Sequence, residues 1–255
     1  MLVVFGEDPG KVQRTLEDRG YTISDVSHSR EFHSLLAEGK TKFPVVIAGL
    51  GSASVECVLS ELSILRDHRG MKYINLVHAG TCGSSPDYKI GQPVVVDKAQ
   101  LNNEGAQSFY TADKTYAYPS KALMEEAKKL KIPRGTIISS DAFYGYGCLL
   151  AEQGGKEVPV YSGPKLRSTN PPPGFLRFRE VYNRFLEHKE PYLVDMETAF
   201  LYSLSGQMKG VESVSIKGVS NHIPFNPSNY IGDEDKALGS SLEQAVRLLE
   251  HLNKA

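Results

Sequence analysis

The strongest constraint on this chain is a rhythm: short, continuous apolar runs alternate with helical stretches. Leu2–Phe5, Pro44–Ala48, Tyr73–Val77, Gln92–Val96, Thr136–Ser139 and Val214–Val219 read as strands. Most lack the in–out alternation of a half-exposed sheet, so they suit strands covered on both faces. Between them, Ser54–Arg69 puts Val55, Val58, Leu59, Leu62 and Leu65 on one stripe. Ser120–Leu130 does the same with Leu123, Ala127 and Leu130, and Ser240–Leu252 with Leu242, Ala245, Val246, Leu249 and Leu252. Strands alternating with amphipathic helices predict an α/β layered fold: a central mixed, largely parallel sheet flanked by helices. The length, 255 residues, is read as one domain over 1–255. Gly145–Pro191 breaks the rhythm with Gly154-Gly155 and Pro171-Pro172-Pro173. It is predicted to be an insertion or lid without strands of its own, ending in a short helix at about 178–188.

Charge narrows the partners. The net charge is −1 and the 29 basic residues are scattered, so neither a nucleic-acid partner nor a membrane surface is expected. No apolar run approaches the roughly 20 residues needed to span a bilayer. No basic leader precedes Leu2–Phe5, and the three cysteines, Cys57, Cys82 and Cys148, are far apart and lack zinc spacing. A reducing, cytoplasmic setting is expected, with no metal.

In α/β sheets ligands gather beyond the carboxyl ends of the strands, so the segments after the predicted strands are the places for chemistry. Gly6-Glu7-Asp8-Pro9-Gly10-Lys11 opens a helix, where free N–H groups and Lys11 could meet an anion. Taken alone it reads as a plain strand-to-helix turn, and no Walker loop is present. Gly49-Leu50-Gly51-Ser52 is a second strand-to-helix turn that lacks a dinucleotide fingerprint. His78-Ala79-Gly80-Thr81-Cys82-Gly83-Ser84 combines close backbone approach with the Thr81 hydroxyl, and Cys82 reads as a packing residue. Ser220-Asn221-His222 offers an amide with both donor and acceptor, as a heterocycle edge needs. Val194–Ala199 reads as a helix start in which Glu197 either grips a vicinal diol or serves the helix dipole.

Taken in order, these segments resemble the purine nucleoside phosphorylase, uridine phosphorylase and methylthioadenosine nucleosidase superfamily. Among its members they are most like the hexameric purine enzymes of the protozoan-parasite type. Val3–Val12 resembles the G-D-P-x-R phosphate loop with one extra residue, and His28–Phe32 the segment whose arginine reaches phosphate in a neighbouring subunit. Gly49–Ser54 with Glu61-Leu62 is similar to G-x-G-x-x-S…E-L, and Ala79–Ser84 to R-x-G-[ST]-x-G. Ser139–Phe143 resembles S-x-D-x-[FY], Asp195–Thr198 the E-M-E-x ribose motif, and Val219–His222 the base-reading V-S-D-x. The resemblance covers most of the chain outside Gly145–Pro191.

It implies a pentosyltransferase that splits nucleosides with inorganic phosphate as co-substrate and without a cofactor, in nucleoside salvage. Gly6, Lys11, Arg30 of a second subunit, His78 and Thr81 would hold phosphate. Met196 and Glu197 would hold the ribose, Phe143 would stack on the base, and Asn221 would read it, with Asn221 and Glu197 as catalytic residues. A homo-oligomer follows, with a dimer as the minimal unit and a hexamer as a further assembly. Departures from the pattern also matter. His78 stands where phosphorylases usually carry arginine, which leaves a titratable group in place of a permanent clamp. Asn221 stands where adenosine-accepting members carry aspartate, which favours inosine and guanosine. Uridine phosphorolysis, hydrolysis by a nucleosidase, and nucleoside binding with weakened catalysis are the alternatives.

Overall fold

The computed structural model describes residues 1–28, 32–101, 116–140, 148–153, 156–161, 190–222 and 232–254. Within them lie twelve strands: β1 (Leu2–Phe5), β2 (Thr22–His28), β3 (Phe32–Glu38), β4 (Lys42–Ala48), β5 (Ile74–Ser84), β6 (Pro93–Leu101), β7 (Tyr116–Ala117), β8 (Arg134–Ser139), β9 (Cys148–Gln153), β10 (Lys156–Tyr161), β11 (Tyr192–Asp195) and β12 (Val211–His222). Five helices accompany them: α1 (Pro9–Glu17), α2 (Gly51–His68), α3 (Lys121–Lys129), α4 (Thr198–Ser205) and α5 (Glu234–Leu252).

Ten strands form one mixed sheet in the order β11-β8-β6-β12-β5-β1-β4-β3-β2, with β7 on β6. The parallel ladders β4–β1–β5–β12 are its spine. β11 runs parallel to β8 and also pairs antiparallel with β5, through Leu193 opposite Ser84 and Val194 opposite Gly83. That second pairing closes β5, β12, β6, β8 and β11 into a ring, which removes two strand edges and carries the residues after β11 back against β5.

The sheet is covered on both faces, as continuous apolar strands require. One core packs Val4, Val77 and Ile216 against Val12 and Leu16 of α1, Leu123 and Ala127 of α3 and Leu242 and Val246 of α5. The other packs Val3, Leu76 and Val219 against Val55 and Leu59 of α2 and Phe200 and Leu201 of α4. α5 lies so close to β12 that a Cβ on Gly218 would fall 1.9 Å from the Ala237 carbonyl oxygen. Local signals start the helices. Asp8 accepts from the Lys11 N–H ahead of Pro9, and Ser120 accepts from the Leu123 N–H.

Three expectations need correction. The glycine-containing stretch Ala79–Ser84 is not a turn but the second half of β5, and Ser220–His222 belongs to β12, across a bulge between Val219 and Asn221. The 145–191 segment does contain strands, since β9 and β10 pair antiparallel within it. Its expected helix at 178–188 lies outside the described residues. The antiparallel meander β2–β3–β4 also went unread, because edge strand β2 is largely exposed and carries no apolar run.

Candidate active site

β4, β1, β5 and β12 run in one direction, so their carboxyl ends share one edge of the sheet. The Gly49–Gly51 turn, the Gly6–Glu7 turn, Thr81–Ser84 and Ser220–His222 therefore line up there, as an α/β ligand site requires. The closed ring adds Asp195, Met196 and Glu197 from the other direction along β5.

Beneath this edge lies a buried polar cluster. Lys217, on β12 in register with Gly80, is 1 % exposed. Its Nζ lies 3.0 Å from Asp195 Oδ2, 3.6 Å from Glu197 Oε2 and 3.4 Å from His78 Nε2. An ammonium can only donate, so His78 Nε2 accepts and Nδ1–H donates to Ser215 Oγ at 2.9 Å. Gly80 makes room: a Cβ there would stand 3.3 Å from the lysine Nζ. Asp195 further accepts from the hydroxyls of Ser139 and Thr198.

Glu197 occupies a more unusual position. Helix α2 begins at Leu50 without a capping side chain, and Glu197 Oε1 accepts from the Gly51 N–H at 3.0 Å. A carboxylate from residue 197 thus sits at the positive end of a helix that starts at residue 51. Burial raises its pKa to about 7, with Asp195 adding to the rise and Lys217 and the backbone N–H donors opposing it. For Lys217, burial lowers the pKa, but the Asp195 and Glu197 carboxylates outweigh it and hold the group above its usual value. His78 is driven well below the usual histidine range, by burial first and by the Lys217 charge second. The titratable clamp expected at this position is therefore a neutral ring, packed edge-on against Phe5.

On the same edge, Thr81 presents two donors to one oxygen. Its N–H and its hydroxyl both meet Glu7 Oε1, at 3.1 and 2.9 Å. Gly6 does not aim its N–H outward. It donates to the Ala48 carbonyl at 2.9 Å and holds a positive φ of 70° beside Leu50. Lys11 likewise turns away, because its ammonium pairs with Asp235 of α5 at 2.7 Å on the surface. Asn221, half-buried, receives the Ser220 hydroxyl at Oδ1 (2.8 Å). Met196 is buried beside Glu197. Burial pushes the Cys82 thiol up, as befits a packing residue rather than a nucleophile.

The structure thus gathers Thr81, Met196, Glu197 and Asn221 at one edge, sets His78 inside it and leaves Lys11 outside. Arg30 and Phe143 lie outside the described residues. Sequence reasoning passed over Lys217, Asp195 and Glu7 as site residues. The signal for Lys217 was present: a lysine in the apolar run Val214–Val219 must find a carboxylate partner if that strand is buried.

Comparison with known proteins agrees with this architecture. The family model for the phosphorylase superfamily matches residues 2–252. A sequence search of curated proteins finds no match. Purine nucleoside phosphorylase from Toxoplasma gondii, solved with immucillin-H, is similar in structure at a TM-score of 0.65 and 19 % identity, over 100 % of this chain and 90 % of that one. Uridine phosphorylase from Vibrio fischeri ES114 gives 0.66 and 20 %, over 100 % and 91 %. The 5′-methylthioadenosine/S-adenosylhomocysteine nucleosidase of Neisseria meningitidis gives 0.59 and 15 %, over 99 % and 98 %. These likenesses show a common fold, and the family match over nearly the whole length decides membership: the chain belongs to the phosphorylase superfamily of enzymes.

Proposed function

We propose that this enzyme cleaves purine nucleosides by phosphorolysis, with inosine and guanosine preferred, releasing free base and ribose 1-phosphate. Inorganic phosphate is the co-substrate and no cofactor takes part. The observation that carries this reading is the donor pair of Thr81, which already holds an oxyanion oxygen, that of Glu7, at the sheet edge shared with Asn221 and bordered by Glu197. In the reaction a phosphate oxygen takes that place, Glu7 withdraws, and the phosphate charge faces the sugar carbon from which the base departs. Glu197 accepts from the ribose hydroxyls, with Met196 beneath the sugar. The Asn221 amide donates to and accepts from the 6-oxopurine edge. Arg30 of a neighbouring copy completes the phosphate site and Phe143 stacks on the base, which makes a homodimer the minimal active unit and admits a hexamer. The setting is nucleoside salvage in the cytoplasm.

The same contact favours one second reading. A carboxylate beside Thr81 also suits activation of water, which would make the reaction a hydrolysis. Glu7→Gln separates the two. Under phosphorolysis, removing a negative charge from the phosphate position lowers the KM for phosphate and preserves kcat. Under hydrolysis, base release falls about 10²-fold or more, with or without phosphate. A panel of inosine, guanosine, adenosine and uridine tests the base preference, and adenosine or uridine as best substrate overturns it.

A further inference from the structure

Lys217 has no part in the scheme above, yet no other cation among the described residues is buried so completely against two carboxylates. We propose that Lys217 is a positioning residue, whose ammonium, threaded between Asp195, Glu197 and His78, fixes the Glu197 carboxylate in the orientation that grips the ribose. The ribose role of Glu197 rests on the function proposed above; the hold of Lys217 on Glu197 does not.

The geometry divides the labour. Asp195, His78 and Ser215 anchor the cluster: Asp195 is tied to Ser139 and Thr198, and the His78 ring to Ser215. Lys217 is therefore held at its contact of 3.0 Å with Asp195, and Glu197 is the partner left at 3.6 Å. The other Glu197 oxygen is claimed by the Gly51 N–H at the start of α2. One carboxylate thus spans a buried cation and a helix N-terminus, which fixes its plane while leaving lone pairs on Oε2 for a diol.

Among the described residues, the titratable groups facing Glu197 and Lys217 are few. β11 supplies Asp195, β5 supplies His78 and Cys82, and α4 places Tyr202 beyond Asp195. α2 contributes the Gly51 backbone N–H. His78 and the Cys82 thiol stay neutral, so the charge on Glu197 is settled by Lys217 on one side and Asp195 on the other. That opposition gives two substitutions of opposite sign.

The test is an NMR titration of side-chain carboxyls in isotope-labelled full-length protein, with the Glu197 signal assigned by its loss in Glu197→Gln. The acid limb of kcat/KM for base release is followed alongside. Lys217→Met is expected to move the Glu197 midpoint to higher pH by about 1–3 units, and Asp195→Asn to lower it. The kinetic limb follows in each case, so that Lys217→Met loses about 10-fold or more in kcat/KM at pH 7. A lysine that merely fills space would lower thermal stability in Lys217→Met and leave that variant's Glu197 midpoint and kinetic limb in place, and that result overturns the proposal. If Lys217→Met does not fold, Lys217→Gln, which keeps hydrogen-bond donors and removes the charge, decides in its place: a Glu197 midpoint that stays or falls refutes the proposal. A wild-type enzyme that releases no base sinks the ribose role, while the NMR midpoints still decide whether Lys217 governs Glu197.

Discussion

At the residue scale, the consequence of folding is that Glu197 titrates close to neutrality. Its pKa rises to about 7 because burial outweighs the help of Lys217, and the proposed grip on the ribose hydroxyls needs the ionised form. The pH profile of kcat/KM should therefore rise through an apparent pKa of about 7, and Glu197→Gln should lose that limb together with about 10²-fold or more of the rate. Stability follows the reverse slope. Between the ordinary value of 4.5 and about 7, the folded chain keeps a proton that the unfolded chain has released. This group therefore makes the protein less stable as pH rises across that window. Urea unfolding across the window should show a shallower slope in Glu197→Gln than in the parent. His78 behaves differently from its expected role as a phosphate-facing group. An arginine in its place would set a second permanent charge beside Lys217 with no new carboxylate, and His78→Arg is expected to cost about 3–5 kcal/mol of stability by urea unfolding. Unchanged stability would mean that the cluster tolerates an unpaired cation.

At the element scale, the sheet is held by close approaches that a sequence displays only indirectly. Gly218→Ala puts a methyl group 1.9 Å from the Ala237 carbonyl oxygen, so α5 must move off β12. The expected loss is about 1–3 kcal/mol, read as a lowered urea midpoint, and a neutral outcome would show that α5 can slide. The buried strands β1, β4, β6, β8 and β12, and helices α2, α3 and α5, were legible because each carries an apolar run or stripe of sufficient length. The second half of β5 was not, because glycine is the usual mark of a turn. Here Gly80 is a strand residue that leaves room for a lysine on the neighbouring strand. β11 was missed because Val194 and Asp195, its last two residues, were read as part of a helix start, although all four of its residues are buried. That omission hid the ring closure, and with it the path by which Glu197 reaches the start of α2. The ordered motifs singled out Thr81, Met196, Glu197 and Asn221, which the fold brings to one sheet edge. Glu7 and Lys217 became visible only with their partners, since a carboxylate in a turn and a lysine in a strand acquire meaning from what they face.

At the scale of the whole molecule, the site exists because one sheet does two things. Its parallel spine delivers four strand ends to one edge, and its closed ring returns Glu197 to that edge from a distant part of the chain. The fold supplies the frame shared with the purine, uridine and nucleosidase structures, and the site residues select the reaction. The most direct measurement is the conversion of inosine by the purified full-length enzyme with and without inorganic phosphate, followed by release of hypoxanthine and by the sugar product. The expected result is base release that saturates with phosphate and yields ribose 1-phosphate in equal amount. Free ribose formed at the same rate without phosphate, or no base released from any nucleoside, would contradict it.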